Sequence, residues 1–201
     1  MTLSLKDDEI DNSLAMALSV LTLRVYVQIN RKAFNLCKPV AFLSLDNTPS
    51  QLRRHPDKEA LVTWIPKDSH FFSLMRVGGD SLVYCHSTDT LYAASPHATL
   101  ADSCPNDVCF LAQFCQDTGD IPRLLVFDII ESPAKPPETS PSKRGEQLRS
   151  YAHVLPAPLC TVQWAGWTGP LRTFVSSLPH KAEYFMELTK DPLAVIRMHI
   201  W

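Results

Sequence analysis

From residue 60 onwards the chain is a succession of short apolar runs separated by turn residues, and this pattern constrains the fold most. Runs of this length, rich in valine, isoleucine and aromatic residues, are typical of β-strands. Sixteen prolines against six glycines favour stiff connections and disfavour long helices. We therefore predict strands at 60–65, 71–77, 81–86, 90–94, 108–114, 124–130, 159–164 and 193–201.

Two of these strands are joined by Gly78-Gly79-Asp80, which is a hairpin signal because glycine tolerates positive φ angles. The run 124–130 is apolar apart from Asp128, as in a strand that is covered on both faces. We expect this strand to be central and buried. We also expect the glycine hairpin to pair beside it.

Helical patterns flank the strands. Apolar residues recur every three or four positions from Ile10 to Ile29, which predicts a helix with one buried face, capped by Asp7 or Asp8. Apolar residues also alternate after Leu21, so a strand is the alternative for the second half of this segment. Further helices are predicted at 143–153, 170–178 and 180–188.

The segment 131–144 (ESPAKPPETSPSKR) contains four prolines and no large apolar residue. Such a composition cannot bury enough surface to fold alone, so we predict a flexible loop. In the helix that follows, we expect Arg144 on the exposed side and Leu148 on the buried side. Together these elements predict one α+β domain with a mixed, largely antiparallel sheet and flanking helices.

The charges of the chain nearly balance, with 19 Lys and Arg against 21 Asp and Glu. A protein that is held to nucleic acid by bulk charge is usually basic, so any RNA contact must be local. The first residues lack the basic start of a signal peptide, and the apolar run 14–27 is too short to span a bilayer. We expect an intracellular protein, in the nucleus or cytoplasm, without membrane contact.

Six cysteines in a reducing compartment predict free thiols. Cys104, Cys109 and Cys115 cluster near His97, but their spacings differ from the paired Cys-x-x-Cys pattern of zinc sites. We therefore predict buried structural cysteines and no metal. The stretch PHKAE (179–183) places a histidine and a glutamate on one face of the predicted helix, which we interpret as a surface contact.

Seven segments carry a resemblance to a known family. In their order and spacing they resemble the guanylyltransferase domain of mRNA capping enzymes, a member of the covalent nucleotidyltransferase superfamily that includes DNA and RNA ligases. Together they cover roughly half of the chain. The segments are KPVAFLSL, SQLRRHP, ALVTWIPKDSHFFSLM, GGDSLVYCHSTDTLYAAS, ATLADSC, IPRLLVFDII and SKRGEQLRSY.

The resemblance implies a nucleotide-attaching motif, Lys-x-Asp-Gly-x-Arg, whose lysine attacks the α-phosphorus of a nucleotide. In this sequence the motif falls on residues 65–70. The nucleophile becomes Ile65, the glycine becomes Asp68 and the arginine becomes His70. Lys67 follows two positions after the expected lysine, and a two-residue step along a strand returns to the same face.

Further positions of the family pattern are also changed. Cys104 replaces the glutamate that binds the ribose, Thr88 replaces a basic residue of the hairpin, and Asp128 is retained. We expect one nucleotidyltransferase-like domain over residues 1–201, with an N-terminal helical segment at 1–36 and the loop at 131–144. Capping enzymes and ligases carry an OB-fold behind this domain, and we expect none here. The resemblance also implies a degenerate site that kept the fold and lost the transfer reaction.

The expected function is therefore a non-catalytic domain that binds RNA ends or nucleotides, or acts as a scaffold subunit, in an RNA-processing assembly. We expect a protein partner in a larger complex, RNA as a candidate ligand and no cofactor. Two alternatives stay open: an active nucleotidyltransferase with a rearranged site that uses Lys67, and a purely structural interaction domain. The candidate ligand-binding residues are Lys67, Asp128, Trp164, Trp167 and Arg172.

The last three of these residues belong to the stretch QWAGWTGPLRTF (163–174). Two tryptophans beside an arginine can stack a base or a cap guanine. The alternative interpretation is a corner between a strand and a helix with one buried tryptophan.

Overall fold

The computed structural model describes residues 11–26, 41–44, 61–106, 108–130, 140–163, 176–188 and 194–199. Two α-helices lie within these ranges, α1 (Asn12–Leu21) and α2 (Pro141–Ser150), with short 3₁₀ turns at Pro96–Ala98 and Ala152–Val154. The strands are β1 (Thr22–Val25), β2 (Ala41–Ser44), β3 (Leu61–Pro66), β4 (His70–Val77), β5 (Asp80–Cys85), β6 (Thr90–Ala94), β7 (Cys109–Asp117), β8 (Ile121–Ile130), β9 (Cys160–Val162), β10 (Ala182–Leu188) and β11 (Ala194–His199). The prediction of an α+β protein with a mixed, largely antiparallel sheet is confirmed.

The strands form two sheets. The larger has seven strands in the order β1-β6-β5-β4-β7-β8-β9, and the smaller has four in the order β2-β11-β10-β3. Each sheet is antiparallel apart from one parallel pair, β8 with β9 and β11 with β2. The hairpin between β4 and β5 turns at Gly78 and Gly79, whose φ angles of 60° and 95° lie in the region that favours glycine.

Two apolar clusters bury the two faces of the larger sheet. On one face, residues of α1 and α2 such as Leu21 and Leu148 pack with Phe72, Phe110 and Val126 of the sheet. On the other face, side chains of both sheets form a second cluster. The layers are therefore helices, larger sheet and smaller sheet, which explains why β7 is buried along most of its length.

A β-bulge in β8 changes which side chains face the helices. Leu111 pairs with Asp128 and Ala112 with Val126, so Phe127 is an extra residue in β8. After the bulge the alternation shifts by one residue. Val126 and Ile129 therefore belong to the cluster under the helices, whereas Phe127 lies in the cluster between the sheets.

Strand β8 lies beside the edge of the sheet rather than at its centre. It is buried, as predicted, but its neighbours are β7 and β9. The prediction that the glycine hairpin pairs beside it is wrong, because β7 lies between the hairpin and β8. The order of strands along the sequence does not reveal that β7 lies between β4 and β8. The β7–β8 hairpin follows β6 in the sequence, but β7 pairs with β4.

The N-terminal helix is shorter than the apolar spacing predicts. It ends at Leu21, and the alternating residues that follow form β1, so the strand alternative is correct for that stretch. The helix is capped by Asp11 and not by Asp7 or Asp8, because the Asp11 side chain accepts a hydrogen bond from the Ser13 amide at 3.0 Å.

The helix predicted at 180–188 is wrong, because this segment forms β10. Its composition (Lys, Ala, Glu, Met, Leu) favours helix, but β10 pairs with β3 on one side and β11 on the other. Tyr184, Met186 and Leu188 then contact the second apolar cluster at a period of two. Tertiary pairing therefore overrides the local preference.

Two further predictions need correction in the segment 140–150. The proposed loop 131–144 overlaps the start of α2, which begins at Pro141, while residues 131–139 lie outside the described part of the chain. Arg144 was expected on the exposed side of the helix, yet it is only 2% exposed. The reason is a buried carboxylate partner on β8, described below. Most of the helix predicted at 170–178 also lies outside the described residues.

Candidate functional site

The turn between β3 and β4 carries the residues that the resemblance places in a nucleotide-attaching motif. Strand β3 ends at Pro66, Lys67 and Asp68 form the turn, and β4 begins at His70. Asp68 has a φ angle of 56°, in the left-handed region that glycine adopts most readily. It thus takes the backbone conformation of a glycine at the position where the family pattern has one.

A cavity of about 260 Å³ lies on one side of this turn. Ile65, Phe71 and Tyr184 supply apolar lining, and three carboxylates also line it. These come from distant parts of the chain: Asp11, Asp68 and Glu183. No lysine or arginine is among the described residues that line this smaller cavity. With three carboxylates and one histidine, His70, it is a predominantly acidic site.

His70 links this smaller cavity to the N-terminal helix. Its Nε2 lies 2.9 Å from Asp11 Oδ2 and 2.6 Å from Ser13 Oγ, and its Nδ1 lies 3.3 Å from Ser87 Oγ. The hydrogen bonds from Ser13 are the main cause that lowers the pKa of Asp11, with the nearby His70 charge contributing. His70 thus holds α1 against β4.

A larger cavity, of about 460 Å³, lies at the other side of the turn. Lys67 and Lys181 line it together with Thr118, Ser176 and the single carboxylate of Glu183 among the described lining residues. The Lys67 amide donates a hydrogen bond to the Lys181 carbonyl at 2.7 Å, so the backbones of the two lysines lie side by side. Lys67 therefore belongs to a different cavity from Ile65, because the chain leaves β3 and enters the turn between them.

A hydrogen-bonded network borders this larger cavity. The Trp64 indole Nε1–H donates to His180 Nε2 at 2.8 Å, and His180 Nδ1 lies 2.9 Å from Asp117 Oδ1. An indole nitrogen can only donate, so His180 Nε2 must be the acceptor and Nδ1 carries the proton. Arg123 Nε donates to the second Asp117 oxygen at 3.0 Å. Both ring nitrogens of His180 are therefore occupied.

Cys115, Asp117 and His180 offer ligand atoms that all lie within 4.8 Å of one another. Zinc accepts this set of donors, but it needs a thiolate and a free imidazole nitrogen. Both ring nitrogens of His180 and both carboxylate oxygens of Asp117 already make hydrogen bonds. The arrangement fits a structural hydrogen-bond network better than a metal centre.

The cysteine cluster considered from the sequence does not come together. Cys109 and Cys115 lie six residues apart on β7, which corresponds to about 20 Å along a strand. One ion cannot bridge that distance. Burial raises the pKa of the Cys109 thiol to about 12 and also raises the pKa of Cys104. Both are buried side chains, as the sequence predicts.

Asp128 is a candidate ligand-binding residue that the fold encloses. Arg144 Nε donates to Asp128 Oδ1 at 2.9 Å and Arg144 Nη2 donates to Oδ2 at 3.0 Å. Burial raises the pKa of Asp128, and the Arg144 guanidinium opposes that rise. Both residues are 2% exposed, so Asp128 joins β8 to α2 and lines neither of the two cavities described above. Trp164, Trp167 and Arg172 lie outside the described residues.

Sequence reasoning missed the residues that complete the two cavities. Asp11 is the N-cap residue of α1, and Lys181 and Glu183 lie at the start of β10. The pairing of Ala182 in β10 with Pro66 in β3 places these two residues beside the turn. The interpretation of His180 and Glu183 as a surface pair on one helix face is wrong. The His180 side chain is 4% exposed and lies before β10, and Glu183 is the second residue of β10. The alternation of AEYFMEL was the available signal.

Comparison with known proteins adds no family to these observations. The sequence matches no protein-family model and no curated protein. Among the described residues, no helix combines the length and the apolar character needed to cross a membrane. Function must therefore be argued from the two cavities and the turn between them.

Proposed function

We propose that this chain is a non-catalytic domain of the capping guanylyltransferase type that binds RNA ends or nucleotides, or acts as a scaffold, within an RNA-processing assembly. The supporting observation is the chemistry around position 65. Ile65 is 5% exposed and lines an acidic cavity, at the position that the resemblance assigns to a nucleophilic lysine.

An alkyl side chain cannot form a phosphoramidate, because that bond needs an amine nitrogen. Phosphoryl transfer also needs cations around the phosphates. The smaller cavity offers the carboxylates of Asp11, Asp68 and Glu183 instead. Three carboxylates with one histidine, His70, which lies against Asp11, disfavour a triphosphate, so this cavity is unsuited to the family's transfer reaction.

The fold that we propose is of the nucleotidyltransferase type. Two packed, mostly antiparallel sheets support this proposal, as does the helix α2, which follows β8 where the resemblance expects an arginine-bearing helix. The glycine-like backbone of Asp68 in the turn after β3 supports it further.

One observation favours a second candidate, an active nucleotidyltransferase that uses Lys67. This lysine is exposed and lines the larger cavity, where a nucleotide could reach its amine. Against it, Lys67 and Ile65 line separate cavities, so a displaced lysine would need a rebuilt set of sugar, phosphate and metal partners. Misplacement of a reacting group by about 1 Å can cost on the order of a hundredfold in rate.

Incubation with α-labelled GTP or ATP, each with Mg²⁺ or Mn²⁺, separates these candidates. We expect no label on the wild-type chain after a denaturing gel, because no amine lies at the attaching position. Label on the wild type that Lys67→Ala abolishes would overturn the non-catalytic proposal. Binding to capped and uncapped RNA of one sequence then tests the ligand: affinity for neither RNA would leave only a scaffold role.

A further inference from the structure

We propose that the larger cavity, bounded by Lys67 and Lys181, is a phosphate-binding site for the 5′ end of an RNA or for a free nucleotide. This inference rests on the proposed function and names the part of the ligand that the site recognises. It uses a cavity distinct from the one that the family motif would have used.

The first argument is the placement of the two lysines. Lys67 lies in the turn after β3 and Lys181 directly precedes β10, and the hydrogen bond from the Lys67 amide to the Lys181 carbonyl joins the two segments at 2.7 Å. Both residues are exposed and line the same cavity. Two ammonium groups that line one cavity can both donate hydrogen bonds to phosphate oxygens.

The second argument is the separation of charge across the β3–β4 turn. The larger cavity has two lysines against the single carboxylate of Glu183 among its described lining residues. The smaller cavity shares Glu183 and adds the carboxylates of Asp11 and Asp68, with His70 against Asp11. An anion that approaches the turn is therefore attracted to one cavity and repelled by the other.

The third argument concerns the remaining polar groups and the space. Thr118 Oγ1 donates to the Pro179 carbonyl at 2.8 Å, and both nitrogens of His180 are engaged with Trp64 and Asp117. The attraction for phosphate therefore comes from the lysines. The volume of about 460 Å³ lies within the range of ligand sites, roughly 300–1,000 Å³.

The test compares two RNAs of identical sequence, one with a 5′-triphosphate and one with a 5′-hydroxyl, each labelled at the 3′ end. Fluorescence anisotropy at fixed low ionic strength measures their affinities for the full chain. We expect tighter binding of the triphosphate RNA. Lys67→Ala and Lys181→Ala each reduce that affinity about tenfold, the effect of losing one charge-assisted hydrogen bond, and change the affinity for the hydroxyl RNA much less.

Two further variants test the assignment: one is a control that should change nothing, and the other should tighten binding. Lys143→Ala removes an exposed lysine of α2 that lines neither cavity, so its affinities should equal those of the wild type. Glu183→Gln removes the carboxylate from the larger cavity and should tighten binding of the triphosphate RNA. Far-UV circular dichroism checks that each variant is folded. Competition by unlabelled GTP distinguishes a free nucleotide from an RNA end as the source of the phosphate.

The outcomes separate the site from the proposed function. Equal affinity of the wild type for both RNAs overturns the phosphate site but leaves an RNA-binding domain. Binding of neither RNA overturns both the site and the RNA-binding function. A tenfold loss with Lys143→Ala would assign the attraction to bulk charge and also overturn the site. A covalent label that depends on Lys67 would overturn the non-catalytic proposal while keeping phosphate at this cavity.

Discussion

At the scale of single residues, burial is the main cause of the lowered pKa of His86. His86 follows β5, and its Nε2 lies 2.8 Å from the hydroxyl oxygen of Ser73, which is 1% exposed. Burial lowers the pKa of His86 from 6.5 to about 4, and the charge of Asp89 opposes this change only in part. The folded protein therefore holds His86 neutral.

This gives a prediction about pH. Because the folded pKa is lowered, the unfolded chain binds more protons between pH 6.5 and about 4. The stability due to neutral His86 is complete above pH 6.5 and falls as the pH drops to about 4. We expect His86→Gln to remove this part of the acid sensitivity, on the order of 2 kcal/mol in the free energy of unfolding, measured by urea denaturation.

A second histidine provides the control for this experiment. His97 is exposed in the 3₁₀ turn Pro96–Ala98, so His97→Gln should retain the wild-type dependence on pH. If His86→Gln and the wild type lose stability in parallel over the same range, burial of His86 is not the cause.

The sequence predicted residues at the candidate site only where they are close together in the chain. Ile65, Lys67, Asp68 and His70 were identified because they lie within one short motif. Lys181 could not be placed, since it reaches Lys67 only through the pairing of β10 with β3. A single sequence carries no direct record of such long-range pairing.

At the scale of elements, the ion pair between Asp128 and Arg144 fixes α2 on β8. The two hydrogen bonds of 2.9 and 3.0 Å make a bidentate contact between side chains that are each 2% exposed. The β-bulge at Phe127 shifts the alternation of side chains at this point of β8. This buried contact explains why a charged residue lies inside a helix whose other charges face outward.

Removing one member of this pair should destabilise the protein strongly. Arg144→Ala or Asp128→Ala leaves a buried charge without its partner, and we expect each to lower the free energy of unfolding by about 3–5 kcal/mol. The double variant Asp128→Leu/Arg144→Met removes both charges. We expect it to be more stable than either single variant, as measured by urea denaturation. If the double variant loses as much free energy of unfolding as the two single variants together, the two side chains contribute independently. The ion pair then does not couple Asp128 to Arg144.

The elements that the sequence predicted well are those with a strong local signal. The strands from Leu61 to Cys85 follow short apolar runs, and their hairpin turns at two glycines with positive φ. The failures share a different cause. Segment 182–188 has a helical composition, and its strand is stabilised by two neighbouring strands that are distant in sequence.

At the scale of the whole molecule, the two sheets depend on one shared core. Ile65, Met186 and Leu188 of the smaller sheet pack with Phe71 and Leu111 of the larger sheet. The opposite face of the larger sheet is covered by the helices. Neither sheet can therefore separate without exposing apolar surface.

This shared core predicts one cooperative unfolding transition. Met186 is fully buried between the sheets, so Met186→Ala leaves a cavity and should lower the free energy of unfolding by about 2–5 kcal/mol. Because the core belongs to both sheets, far-UV circular dichroism and intrinsic fluorescence should report the same midpoint, and the variant should shift both equally. Met16→Ala, on the half-exposed surface of α1, is the control and should shift the midpoint little. Two separate transitions, with only one of them moved by Met186→Ala, would mean that the sheets unfold independently and that the chain contains two cooperative units.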